Sequence, residues 1–348
     1  MQVRKATLAD YDDIMALDPD NTIYSGNDYI PATYKQYLND PDRQLLVGIL
    51  DGKTVAFCMW TYIDSGATSV GMAARVHARL QGSGLWRLFG DIATEFLKSG
   101  INFASTQSVK EWHHLSKFKS LSQYFSVPHL LEVRYAQIHQ FNPEPNTSTP
   151  SALSATWQQQ ATITRLLTDT ESMAFLDNRD VQWQLFPNRR ILCNVGLIPY
   201  RLMTSNFKTI VHDMHSIAAT LVTSDDVTKQ ASPLSMSFAN GLPVHNGYQT
   251  SVHYYAADAA DGDVSDLVRH VMLHLHVATR RRTKQPLQLR ILFSPRVLET
   301  ELGEALRMRV SGYVKCTLES MRLAVYERTI DQSKPVLSTK TRFYAAKL

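Results

Sequence analysis

The sequence predicts an α/β protein of two related domains. The first half predicts the order β-α-α-β-β-β-α-β-α-β, and the tail of the second half repeats the end of that order. Between them, residues 142–154 are rich in Pro, Ser, Thr and Asn and lack periodicity, which is typical of a linker. We therefore predict domains at 1–141 and 155–348.

The composition is that of an ordinary soluble protein. A length of 348 residues is enough for two domains, and a formal net charge of +4 does not require a nucleic-acid partner. The three cysteines lie in apolar runs without a C-x-x-C pair, which indicates reduced core residues in a cytoplasmic protein. No apolar run is long enough for a membrane helix, and the N-terminus lacks a signal-peptide core, so we expect no membrane partner and no secretion.

In the first half, Thr7 and Asp10 have the spacing of a capping box at the start of the first helix. Asp51-Gly52 is a strong hairpin signal between two apolar runs. The predicted strands are at 3–6, 44–50, 55–63, 67–76, 102–105 and 130–139, and the helices at 8–17, within 24–39, and at 83–98 and 111–121.

The second half predicts strands at 191–195, 235–238, 249–256, 287–293 and 313–328, and helices at 205–214, 264–279 and 297–309. Its last elements match the end of the first half, although few residues are identical. The glycine-rich turn of the first half has no counterpart there. We therefore predict a duplicated fold whose second copy has lost this turn.

The most informative segment is SVGMAARVHARLQGSGLWRLF, residues 69–89. An apolar strand leads into Gln81-Gly82-Ser83-Gly84 and then into a helix. This order places backbone N–H groups and the positive end of a helix dipole around one concavity, which favours phosphate oxygens. A purely structural glycine turn is the alternative.

At this loop the chain resembles the GCN5-related N-acetyltransferase superfamily. The family signature Q/R-x-x-G-x-G/A is met by Gln81 and Gly84, whereas Trp86 stands where the family prefers Gly or Ala. The resemblance implies tandem domains of this fold, each with a mixed, mostly antiparallel sheet flanked by helices. It also implies that the loop binds the pyrophosphate of acetyl-CoA and that the preceding strand holds the pantetheine arm. We expect Trp86 either to crowd the helix start or to cover the cofactor. The implied cofactor-binding residues are Ala74, Arg75, Val76, Gln81, Gly82, Ser83, Gly84, Leu85 and Trp86.

A narrower resemblance is to the histidine N-acetyltransferases of vertebrates. Its most specific residues are Tyr24, Gly26, Asp28, Tyr29, Pro31, Tyr34, Leu38, Pro41 and Arg43. In this fold the corresponding loop and helix line the acceptor site, so the resemblance implies that Tyr24, Asp28 and Tyr29 contact the amine substrate. The alternative is a packed loop in which Asp28 satisfies a turn.

Two residues depart from the catalytic pattern of the superfamily. Met72 stands where many members carry a glutamate base on the fourth strand, and Phe118 where many carry a tyrosine acid. His77 and Tyr124 are the candidate catalytic substitutes, although either can be purely structural. A peptide-like α-amine has a pKa near 7.7 to 8.0 and a lysine side chain near 10.4, and free amino acids lie between these limits. A site with a weak base therefore suits an α-amine better than a lysine.

The resemblance therefore implies an N-acetyltransferase that moves acetyl from acetyl-CoA to the α-amine of a free amino acid, histidine first. A catalytically impaired binding or regulatory protein, and an acetyltransferase for another small amine, are the alternatives. His270 and His274 have the i, i+4 spacing of zinc ligands, with His276 nearby, but no H-E-x-x-H motif follows. We expect no metal and interpret these as ordinary helix-face histidines.

Overall fold

The computed structural model describes residues 1–20, 22–24, 26–97, 103–109, 131–141, 157–159, 162–186, 189–193, 197–222, 232–245, 247–257, 263–281, 287–293, 301–302, 304–305 and 319–329. The predicted linker at 142–154 and the helix predicted at 111–121 lie outside these residues, as does most of the helix predicted at 297–309. The predicted domain boundaries stay predictions.

The first half begins with β1 and a 3-10 turn at Leu8–Asp10 that leads into α1. Its elements are β1 (Gln2–Lys5), α1 (Tyr11–Met15), α2 (Ile30–Leu38), β2 (Arg43–Leu50), β3 (Lys53–Ile63), β4 (Thr68–Val76), α3 (Leu85–Ala93), β5 (Phe103–Val109) and β6 (Leu131–Phe141). All the strands predicted for this half are present, and α3 continues as a 3-10 turn at Thr94–Phe96.

The second half contains more elements than the sequence predicted. They are β7 (Trp157–Gln159), β8 (Thr162–Leu166), α4 (Asp169–Asp177), α5 (Arg179–Leu185), β9 (Arg190–Cys193), β10 (Ile198–Arg201), α6 (Thr204–Asp213), β11 (Ser216–Val222), β12 (Pro233–Val244), β13 (Gly247–Ala256), α7 (Val264–Arg281), β14 (Leu287–Phe293) and β15 (Glu319–Thr329). The sequence missed β7, β8, α4, α5, β10 and β11, most of which are short.

The order of strands shows that the fold is duplicated. In the first half β1, β2, β3 and β4 are antiparallel neighbours and β4 pairs in parallel with β5. In the second half β8, β11, β12 and β13 repeat this arrangement, and β13 pairs in parallel with β14. The predicted architecture of two related domains, each with a mixed, mostly antiparallel sheet, is confirmed.

The same capping motif opens both halves. Thr7 N–H donates to Asp10 at 2.7 Å, and Arg4 Nη2 lies 2.6 Å from the same carboxylate. In the second half Thr168 N–H donates to the Glu171 carboxylate at 2.9 Å, and the side chain of Arg165 pairs with that carboxylate. The arginine hydrogen bonds lower the pKa of both carboxyls to about 2. The duplication is therefore preserved down to an arginine, a threonine and an acid.

The two halves exchange their last strands within one sheet of thirteen strands. β15 lies between β5 and β6, antiparallel to both, and β6 lies between β15 and β14. The last strand of each half therefore completes the sheet of the other half. This pairing makes the two halves one hydrogen-bonded unit.

Each face of the sheet carries its own helices. In β3, Phe57 and Met59 belong to a core that includes residues of α1, α2, α4, α5 and α6. Cys58, which lies between them, packs instead with α3, because successive strand residues point to opposite faces. In the second half α7 packs in a core with apolar residues of β13 and β14. The first of these cores therefore joins both halves.

A buried carboxylate at the β3–β4 turn also joins the halves. Asp64, which is 2% exposed, accepts hydrogen bonds from Arg201 N–H at 3.1 Å and from Asn206 Nδ2 at 2.7 Å. It also accepts from Thr68 Oγ1 at 2.7 Å. The second half thus fixes the turn from which β4 begins. Among the helices that the structure describes, none combines the length and the hydropathy needed to cross a membrane.

The strand exchange makes the stability of the first half depend on the C-terminal strand. We expect a chain that ends at residue 318, and so lacks β15, to leave β5 and β6 with open edges. Its thermal midpoint should fall by about 10 °C or more relative to a chain that ends at residue 329. Equal midpoints for the two chains, measured by calorimetry, would show that β15 does not hold the halves together.

Candidate functional site

The sheet opens between β4 and β5. In the described part of the chain the two strands pair at Thr68–Val70 opposite Phe103–Ser105. Both strands continue past this point, β4 to Val76 and β5 to Val109. The two parallel strands therefore separate toward their carboxyl ends. The peptide groups along this edge of β4 are left for a partner other than β5.

A β-bulge lies in the separated part of β4. Phe57 pairs with Arg75 and Met59 with Met72, so one residue of β3 faces two residues of β4. Ala73, at the bulge, has a φ of 52°, which is uncommon for a residue with a side chain. Ala74 beside it is exposed. The bulge therefore turns peptide groups of β4 out of the antiparallel ladder at the opening.

The predicted phosphate loop follows the opening directly. Gly82 and Gly84 have φ values of 78° and 84°, a conformation that favours glycine, and Gly84 is the N-cap of α3. A Cβ at either glycine would meet no atom within 4 Å, so the backbone conformation and not packing requires glycine. No described residue accepts a hydrogen bond from the N–H of Gly82 or Gly84. The loop thus presents unpaired donors at a helix N-terminus.

The other residues of the predicted loop support its conformation. Ser83 Oγ accepts a hydrogen bond from Leu85 N–H at 3.3 Å, and Gln81 Nε2 donates to the carbonyl of Val76 at 3.5 Å. Trp86 is 44% exposed and packs against Phe89, with ring centroids 5.7 Å apart. The indole therefore does not crowd the start of α3. It lies on the outer surface of the helix, beside the loop.

The predicted acceptor loop packs against the bulge of β4. Asp28 is buried, and its Oδ1 accepts hydrogen bonds from Ile30 N–H at 3.0 Å and from Arg75 Nη2 at 2.5 Å. Tyr24 donates its hydroxyl to the Ala74 carbonyl at 3.2 Å, and its ring lies 5.2 Å from the Arg75 guanidinium. Asp28 therefore caps a turn and neutralises Arg75. The geometry agrees with the alternative in which Asp28 satisfies a turn, and a contact of Asp28 with substrate stays a prediction.

Arg75 was predicted to bind the cofactor, but its side chain is 1% exposed and points to Asp28. The Arg75 side chain is therefore engaged in this ion pair, and cofactor binding by Arg75 stays a prediction. Tyr29 is buried next to Tyr24 and Tyr37, and burial raises its pKa well above the ordinary value. Burial likewise raises the pKa of the half-buried Tyr24. Both phenols therefore stay protonated, and the Tyr24 hydroxyl serves as a hydrogen-bond donor.

Of the two predicted catalytic residues, the structure describes His77 but not Tyr124. His77 caps the 3-10 turn at Ala78–Leu80, where its Nδ1 accepts from Arg79 N–H at 3.3 Å. This bond gives the histidine a structural role and leaves Nε2 available. Tyr124 and Phe118 lie outside the described residues. Met72 is buried, and its sulfur accepts a hydrogen bond from Thr61 Oγ1 at 3.4 Å, so its position holds no ionisable group.

The corresponding region of the second half is closed. β13 and β14 pair over six positions, from Tyr248 opposite Leu287 to His253 opposite Leu292, and β12 and β13 pair without a bulge. The segment before α7 reads ADAADGD, residues 257–263, and its three aspartates would repel phosphate. The open strand edge and the glycine loop therefore occur together in the first half. This agrees with the prediction that the second copy of the fold has lost the loop.

Two histidines of α7, His270 and His274, are core residues, whereas His276 is partly exposed. His270 and His274 are 0% and 1% exposed, so the interpretation as ordinary helix-face histidines misses their burial against the sheet. Ser237 Oγ lies 2.6 Å from His270 Nδ1 and 2.7 Å from His274 Nε2, and Ser216 Oγ lies 2.7 Å from His274 Nδ1. Asp266 connects to His270 through the Ser235 hydroxyl. In the described part of the chain, no group of three or more acidic, cysteine or histidine side chains could hold a metal ion.

Comparison with solved structures defines the class of fold. A tandem GCN5-related N-acetyltransferase protein of the clavulanic acid biosynthesis pathway aligns with a TM-score of 0.54 at 11% identity, over 94% of this chain and 98% of its own. A GCN5-related N-acetyltransferase of Sphaerobacter thermophilus aligns with a TM-score of 0.50 at 11% identity, over 96% and 98%. The chain has the tandem form of the GCN5-related N-acetyltransferase fold.

Sequence comparison then gives particular relatives. The histidine N-acetyltransferase of Oreochromis niloticus is 33% identical over 99 residues, and that of Scomber australasicus is 32% identical over 99 residues. Each match covers 28% of this chain and 29% of the relative. No protein-family model matches the chain. The resemblance to this superfamily, and within it to the histidine N-acetyltransferases, is confirmed. The relatives are N-acetyltransferases, which is the class of enzyme predicted from the sequence.

The buried histidines of the second half predict a loss of stability in acid. Burial lowers the pKa of His253 and His274 to about 3 and that of His270 to about 4, below the unfolded value of about 6.5. The neutral forms therefore favour the folded state, and their contribution is complete above about pH 6.5 and is lost as the pH falls toward 4. Three such groups together predict a slope of up to about 4 kcal/mol per pH unit in this window.

Urea unfolding between pH 7 and pH 5 measures this slope. His253→Leu should flatten it by about a third, because one of three protonations is removed. His212→Gln is the matched control, because the His212 side chain is 86% exposed. A free energy of unfolding that is the same at pH 7 and pH 5 would contradict the burial of these histidines.

Proposed function

We propose that the chain is an acetyl-CoA-dependent N-acetyltransferase whose catalytic half is the first one. The opening between β4 and β5 that ends at the Gly82–Gly84 loop carries this proposal. An extended cofactor arm needs a strand edge with free peptide groups, and its phosphates need N–H donors at a helix N-terminus. The first half has both next to each other, and the names of its relatives agree with this chemistry.

In this proposal the backbone does most of the work at the cofactor. The N–H groups of Gly82 and Gly84 hold the pyrophosphate, and the open edge of β4 around Ala74 and Val76 holds the pantetheine arm. The bulge at Ala73 places peptide groups where a thioester carbonyl is polarised. Arg75 contributes indirectly, since its ion pair with Asp28 ties the acceptor loop to this bulge.

The acceptor is the α-amine of a free amino acid, with histidine first. Two observations support this choice. Met72 leaves the fourth strand without a general base, and the α-amine of a free amino acid, whose pKa lies between those of a peptide α-amine and a lysine, has more free base near neutral pH than a lysine side chain. Two relatives that match over 99 residues are named histidine N-acetyltransferase. Correct positioning of the amine against the thioester then supplies much of the rate.

A second candidate is a protein that binds acyl-CoA without turnover. The burial of Met72 at the position of the family base favours it. Binding of CoA without acetyl transfer to any amine would distinguish it from the first proposal. Buried free thiols at Cys58 and Cys193 agree with the cytoplasmic setting that we propose for either function.

Release of the CoA thiol from acetyl-CoA tests the proposed reaction. The purified protein should release thiol with histidine or another free α-amino acid and much more slowly with lysine peptides or polyamines, because their amines are protonated. N-acetylated product is identified by mass spectrometry. Release with polyamines but with no free amino acid would assign a different acceptor, and no release with any amine would favour the non-catalytic protein.

A matched pair of glycine variants tests the cofactor loop. Gly84 has a φ of 84° and Gly66, in the β3–β4 turn, a φ of 83°, and neither has an atom within 4 Å of an added Cβ. Alanine at either position should cost about 1 kcal/mol of stability from backbone strain. Gly84→Ala should also raise the KM for acetyl-CoA about tenfold or more, because a methyl group would keep phosphate from the backbone. An equal KM in Gly84→Ala and Gly66→Ala would remove the loop from the site.

A further inference from the structure

Trp86 presents an aromatic ring to solvent next to the glycine loop. It is 44% exposed, although tryptophan is a residue type that is highly buried on average. Its ring packs on that of Phe89, with centroids 5.7 Å apart and an angle of 53° between the ring planes, and Phe89 is 0% exposed. Phe89 therefore fixes the position of the indole, and the part of the ring that Phe89 does not cover is open to a ligand.

Open space lies on either side of Trp86 along the helix. Gly90 is four residues after Trp86, on the same face of α3, and a Cβ at Gly90 would meet no described atom within 4 Å. Large side chains of a helix lean toward its N-terminus, so the indole leans toward the loop. A Cβ at Gly82 or Gly84 of that loop would likewise meet no described atom within 4 Å. The exposed ring and the N–H groups of the loop therefore border the same open surface.

The charge around this surface is positive. Residues 65–90 include three arginines and neither aspartate nor glutamate. Asp28 neutralises one of these arginines, Arg75. Arg79, in the turn before the loop, is exposed, and no carboxylate in the described part of the chain forms an ion pair with it. A cation on one side of the loop and an aromatic ring on the other favour a ligand that carries phosphate.

The surroundings of Trp86 match a nucleotide better than a protein partner. Leu88, which is 37% exposed, is two residues further along α3 and therefore points about 200° away around the helix. The two side chains thus do not form the large apolar patch that is typical of a protein interface. A nucleobase needs only one aromatic ring, because every base has a π-face that can stack on it.

CoA carries such a base one ribose away from its pyrophosphate. If the N–H groups of Gly82 and Gly84 hold the pyrophosphate and the edge of β4 holds the pantetheine arm, the nucleoside extends from the loop in another direction. The indole of Trp86 lies beside the loop on its helix side. We infer that Trp86 stacks on the adenine of CoA and thereby selects CoA over acyl donors that lack a nucleotide.

This inference rests on one part of the proposed function, the binding of CoA at the glycine loop, and not on acetyl transfer. A protein that binds CoA without turnover would use Trp86 in the same way. The test therefore measures binding, and it compares CoA with a fragment that lacks the adenosine. A failure of the stacking is then distinct from a failure of the loop to bind CoA.

A second exposed tryptophan provides the matched control. Trp183 of α5 is 70% exposed, and its ring lies 5.6 Å from the guanidinium of Arg189, so it too is a surface indole near an arginine. It belongs to the second half, which has no glycine loop. Trp86→Leu removes the ring at the loop, Trp86→Phe keeps a ring there, and Trp183→Leu removes a ring elsewhere on the surface.

Binding of CoA and of pantetheine 4′-phosphate to the full-length chain is measured by isothermal titration calorimetry. Trp86→Leu should raise the Kd for CoA about tenfold or more, because it removes the stacking of one base. Trp86→Phe should stay within about threefold of the wild type, because a phenyl ring also stacks. Trp183→Leu should bind CoA as the wild type does, and all four proteins should bind pantetheine 4′-phosphate equally. CoA should also quench the tryptophan fluorescence of the wild type more than that of Trp86→Phe.

The two ligands separate the possible outcomes. Equal affinity of the wild type and Trp86→Leu for CoA overturns the stacking and leaves the proposed loop intact. An equal loss of affinity for both ligands in Trp86→Leu also overturns it, because the ring would then support the loop and not the adenine. A wild-type chain that does not bind CoA overturns both proposals. A loss in Trp86→Leu that is confined to CoA supports the stacking, whether or not the protein transfers acetyl groups.

Discussion

The separation of β4 from β5 depends on the strand that holds β5 from its other side. A sheet can open between two parallel strands only if the outer strand keeps another partner, because a strand without hydrogen bonds is unstable. β15 supplies this partner, since it pairs with β5 along the whole strand, from Phe103 to Val109. The C-terminal strand of the chain thus makes possible an opening in the first half. The position of β4 in turn depends on Asp64, which the second half holds by two hydrogen bonds.

The two copies of the fold differ in the arrangement of their pair of parallel strands, β4 and β5 in the first half and β13 and β14 in the second. In the first half the strands separate and a bulge and two glycines follow, which leaves backbone donors for a ligand. In the second half β13 and β14 are paired over six positions, and a histidine, serine and aspartate network fills the interface with α7. The opening and the glycine loop therefore distinguish the first copy of the fold from the second.

The local features of the first half could be predicted from its sequence. The Asp51-Gly52 turn predicted the β2–β3 hairpin, and the glycines at 82 and 84 predicted the turn at the start of α3, where both have positive φ. The capping box at Thr168 and Glu171 has the same pattern as that at Thr7 and Asp10, and its spacing could have revealed α4. Short segments such as β8 and β10 carry too few residues for a clear period.

The long-range features could not be predicted. Strand exchange depends on pairings between residues that are roughly 150 to 220 positions apart, and no local pattern specifies them. The pairing of Arg75 with Asp28 likewise joins residues that the sequence suggested for two different ligands. Gln249, Ser251 and His253 did leave a signal, because alternating polar residues in a strand between buried strands are unusual. Their burial, which the sequence does not reveal, shows that these polar residues do not face solvent.

Hydrogen exchange of backbone amides with and without CoA tests the central claim most directly, because the claim concerns backbone groups of one half. CoA should slow exchange in peptides that cover residues 73–86, which include the bulge and the glycine loop, and leave residues 247–257 of β13 unchanged. Protection of β13, or of neither strand under conditions where CoA binds, would contradict an account in which the opened strand edge of the first half holds the cofactor.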